Sequence, residues 1–454
     1  MREVMAVDDS LLDVLGITFL IWGIVIVLFT YFSMKNRTAE KVQIITFINA
    51  FYSIIYGFSP AAICFYMSKN GNSEFPLNYI SLGRDGVKSV FWFFLASILA
   101  FAGINFGYKI KSNCKIAKST HITTKGVRLA AFFLMIIGWS SLLLWTKVYG
   151  GPLGILPYAN ALRAGRDVGI YNQWSFMMKL CPFLQLSSYI FFSQYLTTKK
   201  SIDFFMFILS GVGAFLYILA NSSRMHFALF FVILILLYVG HRTVTRKTYV
   251  ILAIFGVVGL CVMHMGESIL NMFQNGIATS APTISFDLLK ILRDEFFFPI
   301  ASFQTYVDNV ASGEVGIRFF IDIASALLAW LPSRFRPAGL LSLENTNTIL
   351  HSGTTLYGGL PTDFVTTCVY ELGLIGLCLY PIIFGYLAKI FERKFRPHFS
   401  NDFFKVVYIL GIFYFVKAIG YGDPANIMGN IFFLVWGYVF ISLICKCVRV
   451  KKQC

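Results

Sequence analysis

Asp363 and Glu371 stand eight residues apart, in Leu360-Pro361-Thr362-Asp363 and Tyr370-Glu371-Leu372-Gly373-Leu374-Ile375-Gly376. On a helix that spacing brings both carboxylates to nearly the same face, two turns apart. A carboxyl group in apolar surroundings holds its proton more tightly than in water and can act as a base or as an arginine partner. His351, just upstream, is a third candidate proton acceptor. The other chemically capable groups are arginines. Arg163 and Arg166 follow the chain-breaking Gly150-Gly151-Pro152 and share a face if their segment is helical. Arg224 follows Asn221-Ser222-Ser223, and Arg334 and Arg336 bracket Phe335 between Pro332 and Pro337. Guanidinium groups bind phosphate in bidentate fashion and keep their charge. These five arginines are the candidate phosphate ligands, and Asp363, Glu371 and His351 the candidate catalytic groups. Plainer roles compete: arginines beside membrane helices anchor them at the headgroups, and a buried Glu371 is suited to an ion pair with Lys417 or Lys179.

The usual cofactor signals are missing. No Asp-x-Asp, P-loop or dinucleotide fingerprint is present, and no His pair at helical spacing marks a zinc site. Neither metal nor cofactor is expected. The basic residues fall in short loops rather than on one soluble domain, and no zinc-finger, RRM or helix-turn-helix pattern occurs, so no nucleic-acid partner is expected.

The elements that must position these groups are membrane helices. Of 454 residues, 57% are hydrophobic and 13% charged, about half the charged share of a soluble domain. The apolar residues form runs long enough to cross the hydrocarbon layer as helices. The reading is an all-α polytopic membrane protein of about 11 transmembrane helices, one integral domain over 1–454. The expected spans are Leu11–Phe32, Val42–Met67, Ser89–Phe106, Leu129–Thr146, Ser175–Leu196, Asp203–Ala220, Met225–Gly240, Thr248–His264, Phe364–Ala388, Phe404–Ile419 and Ile427–Cys445. Alternate loops then carry 23 cations against three acids, and the other loops carry most of the acids. The positive-inside bias puts the first set in the cytoplasm, the amino terminus in the periplasm and the carboxyl terminus in the cytoplasm. It also accounts for most of the net charge of +16. Two periplasmic loops are long, 147–174 with its arginine pair and 265–363. The second carries helix-period segments at Ser285–Phe298 and Gly316–Leu331, the latter an amphipathic or re-entrant helix with Arg318 and Asp322 paired one turn apart.

The ordered set Gly150-Gly151 with Arg163 and Arg166, Ser223-Arg224, Pro332-Ser333-Arg334 and Tyr370-Glu371-Leu372-Gly373-Leu374-Ile375-Gly376 with Gly385, together with a long outer loop ahead of the third-last span, resembles the Wzy-type polymerases of bacterial O-antigen and capsule repeat units. The resemblance implies a periplasmic-side glycosyltransferase of the bacterial inner membrane and suggests a likeness to the GT-C type of fold. Such an enzyme transfers a growing glycan from undecaprenyl pyrophosphate to a lipid-linked repeat unit. The implied partners are undecaprenyl-pyrophosphate-linked oligosaccharides, membrane lipids and a polysaccharide chain-length regulator. By motif, Arg163, Arg166, Arg224 and Arg334 would hold the pyrophosphate, with Arg336 beside them. Tyr306, Trp330 and Tyr357 would stack on sugars. The competing readings are an O-antigen ligase using the same donor lipid, and a lipid-linked oligosaccharide flippase.

Overall fold

The computed structural model describes residues 9–35, 43–74, 76–82, 84–111, 122–163, 168–221, 224–241, 288–313, 316–328, 330–331, 337, 340–354 and 359–450. Every regular element among them is helical. Among the described residues, eight helical stretches are long and apolar enough to cross a membrane: Ser10–Met34, Ile44–Asn70, Arg84–Lys109, Thr124–Tyr149, Ser201–Ala220, Phe364–His398, Asp402–Gly420 and Pro424–Val448. Each coincides with an expected span. Two further expected spans are shorter helices. Phe183–Thr198 has 16 residues, because Pro182 ends the irregular turns at Ser175–Lys179 and opens the helix behind them. Lys179 therefore lies ahead of that helix and not within it. Arg224–Gly240 has 17 residues. The remaining span, Thr248–His264, lies outside the described residues.

The chain forms two compact units. The first comprises 1–114, 287–392 and 412–429. Its long helices are α1 (Asp9–Lys35), the pair α2 (Ile44–Ser53) and α3 (Ser59–Asn70) joined by a π turn at Ile54–Phe58, α4 (Arg84–Lys109), and α14 (Phe364–Phe395). α4 and α14 cross at backbone contact. A Cβ on Gly107 would lie 2.0 Å from the Ile382 carbonyl, and one on Gly385 2.0 Å from that of Ile104. Small residues at such crossings let dispersion and weak polar contacts replace the hydrophobic drive that lipid cannot supply.

The rest of the first unit is a set of short helices: α10 (Leu288–Glu295), α11 (Phe298–Ala311), α12 (Ile321–Leu328) and α13 (Leu343–Ser352). α10 is the expected one-sided helix, with Ile291 and Leu292 buried. α11 is seated on the loop before α4, where the Gln304 amide donates to the Ser81 and Gly86 carbonyls and its oxygen accepts from Ser81 N.

The second unit comprises 115–286, 393–411 and 430–454. It holds α5 (Thr124–Thr146), α6 (Ala159–Arg163), α7 (Phe183–Thr198), α8 (Ser201–Ala220) and α9 (Arg224–Gly240), with portions of α15 (Asp402–Gly420) and α16 (Pro424–Val450). Arg128 on α5 grips Asp203 on α8 through two bonds of 2.7 and 2.6 Å, and Thr198 adds a third to the same carboxylate. Asp203 is fully buried, so the pairing offsets the cost of dehydrating it.

Candidate functional site

α14 is interrupted directly after Glu371. Leu372 has φ −140° and ψ 18°, and Gly373 has φ 59° and ψ −144°, which is glycine territory. In an unbroken helix the carbonyls of Tyr370 and Glu371 accept from Leu374 and Ile375. Here they accept from Arg318 N and Phe319 N, each at 3.0 Å. Phe320 N then donates to Glu371 Oε2 at 2.6 Å. Three successive backbone N–H groups thus repair the break and grip the carboxylate. The segment bends to do so, with Phe319 and Phe320 both left-handed at φ 47° and 61°. Strain of this kind persists only where surrounding contacts hold it, and it gathers at functional sites. Glu371 is buried, and its Oε1 has no hydrogen-bond partner.

The segment is fastened by Arg318. Its guanidinium makes a bidentate pair with Asp322 at 2.6 and 2.7 Å and donates to Thr346 Oγ1 and the Leu341 carbonyl, both at 3.1 Å. Burial opposes the Arg318 charge, and Asp322, with Glu371 and Asp423, more than restores it. Asp423 joins two more elements: its Oδ2 accepts from Glu344 N at the start of α13, and its Oδ1 from Ala425 N at the start of α16. Two helix N-termini therefore converge on one carboxylate, the favourable arrangement for a helix dipole. Burial raises the Asp423 pKa, and these amide bonds pull it back. Arg318, Asp322 and Asp423 all interact electrostatically with Glu371. Lys417, buried on α15, makes no ion pair with Glu371; its ammonium lies 5.9 Å from the Tyr421 ring.

Asp363 has a different environment. It stands immediately ahead of α14, where its Oδ2 accepts from Val365 N at 3.0 Å, Thr366 N at 3.3 Å and Tyr56 Oη at 2.7 Å. That is the geometry of a helix N-cap. Tyr56 lies in the π turn between α2 and α3, so a local irregularity there meets the start of α14. Burial raises the Asp363 pKa to about 6. His351 stacks on Tyr79 with ring centroids 5.0 Å apart, and its Nδ1 lies 3.0 Å from Thr305 Oγ1. Burial holds its pKa below the usual value, so the ring is neutral at pH 7.

The first unit thus contains Glu371, Asp363 and His351, each with its own partners. Arg163 and Arg224 belong to the second unit: Arg163 is exposed at the end of α6, and α9 begins at Arg224. Arg166, Arg334, Arg336 and Tyr357 lie outside the described residues. Of the expected sugar-stacking aromatics, Tyr306 packs edge-on against Tyr370, and the Trp330 indole donates to the Met428 carbonyl. Sequence reasoning missed Tyr56, Asn347 and the double cap of Asp423. Asn347 accepts from Tyr370 Oη and donates to Ser302 Oγ and the Leu360 carbonyl. Tyr56 and Asn347 carry no sequence signal, because their partners lie far along the chain, whereas Asp423 ahead of Pro424 is a helix-start signal for one of its two caps. Gly373 is the local signal for the break, although α14 also carries Gly376 and Gly385 without one. Compared with known proteins, the chain matches no protein-family model, no curated protein and no solved structure.

Proposed function

We propose that the protein is a glycosyltransferase of a bacterial inner membrane. It extends a glycan by moving the growing chain from undecaprenyl pyrophosphate to a lipid-linked repeat unit. The observation that carries this reading is a buried carboxylate, Glu371, fixed through one oxygen at a membrane-helix interruption while the other oxygen is unengaged. In the reaction, the bond between the anomeric carbon and the phosphate oxygen breaks. A bond from the acceptor hydroxyl oxygen to that carbon forms. The hydroxyl proton passes to Glu371, and the pyrophosphate departs on its lipid. The arginines that the resemblance implies, Arg163, Arg166, Arg224, Arg334 and Arg336, stabilise the departing charge in this reading. In this reading the basic loops face the cytoplasm and the site faces the periplasm.

The helix interruption also favours a second reading, translocation of a lipid-linked oligosaccharide, because transporters build substrate sites from discontinuous helices. Surface polysaccharide from a deletion strain separates the two. Loss of a polymerase leaves core capped with single repeats. Loss of a ligase leaves uncapped core, and loss of a flippase leaves lipid-linked repeats on the cytoplasmic leaflet. Complementation with Glu371→Gln or Arg224→Ala is expected to give membrane-inserted protein and no long-chain bands. Full-length banding from both variants contradicts the proposal.

A further inference from the structure

Residues 316–328 have an inverted distribution of polarity. On α12, Asp322, Ser325 and Ala326 are buried, while Ile321, Ile323 and Leu327 are exposed. In the stretch leading into it, Arg318 is turned inward onto Asp322 while Ile317 and Phe319 face out, Phe319 at 70% exposure. A short helix on a water-washed surface has the opposite order, apolar face inward. Ionisable groups buried as a satisfied pair with apolar side chains outside is the arrangement that hydrocarbon imposes.

The backbone contacts set the depth. Arg318, Phe319 and Phe320 bond to Tyr370 and Glu371 within α14, a helix long and apolar enough to cross a membrane. The charged residues at the other end of α14 begin at Lys389. At about 1.5 Å per residue, Glu371 lies about 27 Å along the axis from Lys389. A hydrocarbon layer is about 30 Å thick, so the Glu371 level falls inside its far edge. Leu374 and Ile375, one turn further in, are exposed at 81% and 65%. Interrupted backbone survives at that depth only where protein re-pairs its freed groups, as the 318–320 amides do here.

We infer that residues 316–328 form a re-entrant element seated in the bilayer, with Ile317, Phe319, Ile321, Ile323 and Leu327 in contact with lipid acyl chains. Their exposed surface continues that of Leu374 and Ile375 on the spanning helix. The element forms one wall of the Glu371 site, standing between the buried carboxylate and the hydrocarbon. This placement does not depend on which reaction the protein performs.

The test uses the full chain in vesicles of phosphatidylethanolamine and phosphatidylglycerol that contain a phospholipid with a photoactivatable diazirine in its acyl chain. After irradiation, mass spectrometry locates the adducts. Adducts on 317–327 within about threefold of those on Leu374–Leu379 are expected. Labelled Leu374–Leu379 with unlabelled 317–327 overturns the inference. Hydroxyl-radical footprinting of the same vesicles reads the water side. Phe319 is expected to be protected, whereas oxidation matching that of the exposed loop residue Tyr171 overturns the placement.

Discussion

Glu371 and Asp363 are both buried acids with one oxygen lacking a hydrogen-bond partner, and what separates them is what the other oxygen holds. Asp363 spends one oxygen on two amides and a tyrosine hydroxyl, and those bonds start a helix. Asparagine can accept the same bonds and caps helices about as well. Asp363→Asn is therefore expected to keep fold and activity, whereas Asp363→Ala loses about 1–2 kcal/mol of stability. The pH dependence follows from the sign of the shift. Burial raises the folded pKa to about 6, above the ordinary value of about 3.9, so the folded state binds the proton more tightly than the unfolded state. The contribution is complete below about pH 4 and is lost as pH rises through about 6. Thermal unfolding of the wild type is expected to show that decline, and Asp363→Asn to remove this residue's share of it. An unchanged profile in the asparagine variant contradicts the assignment. The spacing of eight residues was legible in the sequence, and so was the residue type. The division of labour was not, since Tyr56 and Phe320, which decide it, lie far from either acid in the chain.

At the scale of elements, α14 depends on a conformation that only glycine adopts easily. Gly373→Ala places a side chain at φ 59° and ψ −144°, which costs about 1–3 kcal/mol. The variant is expected to unfold at lower temperature in detergent and to lose the Phe320–Glu371 contact. Hydrogen exchange at the Phe319 and Phe320 amides reads that loss, and unchanged protection there removes the break from its proposed role. The spans themselves were readable from runs of apolar residues, because hydrocarbon thickness constrains length and composition so strongly. The helix at Phe183 begins later than the apolar run from Ser175 predicts. Apolar content runs through Phe176 and Met177, but Pro182 moves the start of regular helix past both. The sequence reads 316–331 as an amphipathic or re-entrant helix, and the Arg318–Asp322 pair it predicts is present. Its attachment was not foreseeable, since it uses main-chain amides that carry no sequence signature.

For the whole molecule, a multi-pass helical membrane protein is what its composition demands and what its helices form. The proposed reaction draws its energy from a sugar–phosphate bond in a lipid and needs no nucleotide, which suits a chain without nucleotide-binding motifs. The most direct measurement places the purified full chain in proteoliposomes with lipid-linked repeat units extracted from a strain lacking it. Gel separation of the products is expected to show a ladder of longer lipid-linked glycans, with no nucleotide sugar added. Labelled lipid that crosses the bilayer while every glycan stays one repeat long would contradict the polymerase and leave translocation in its place.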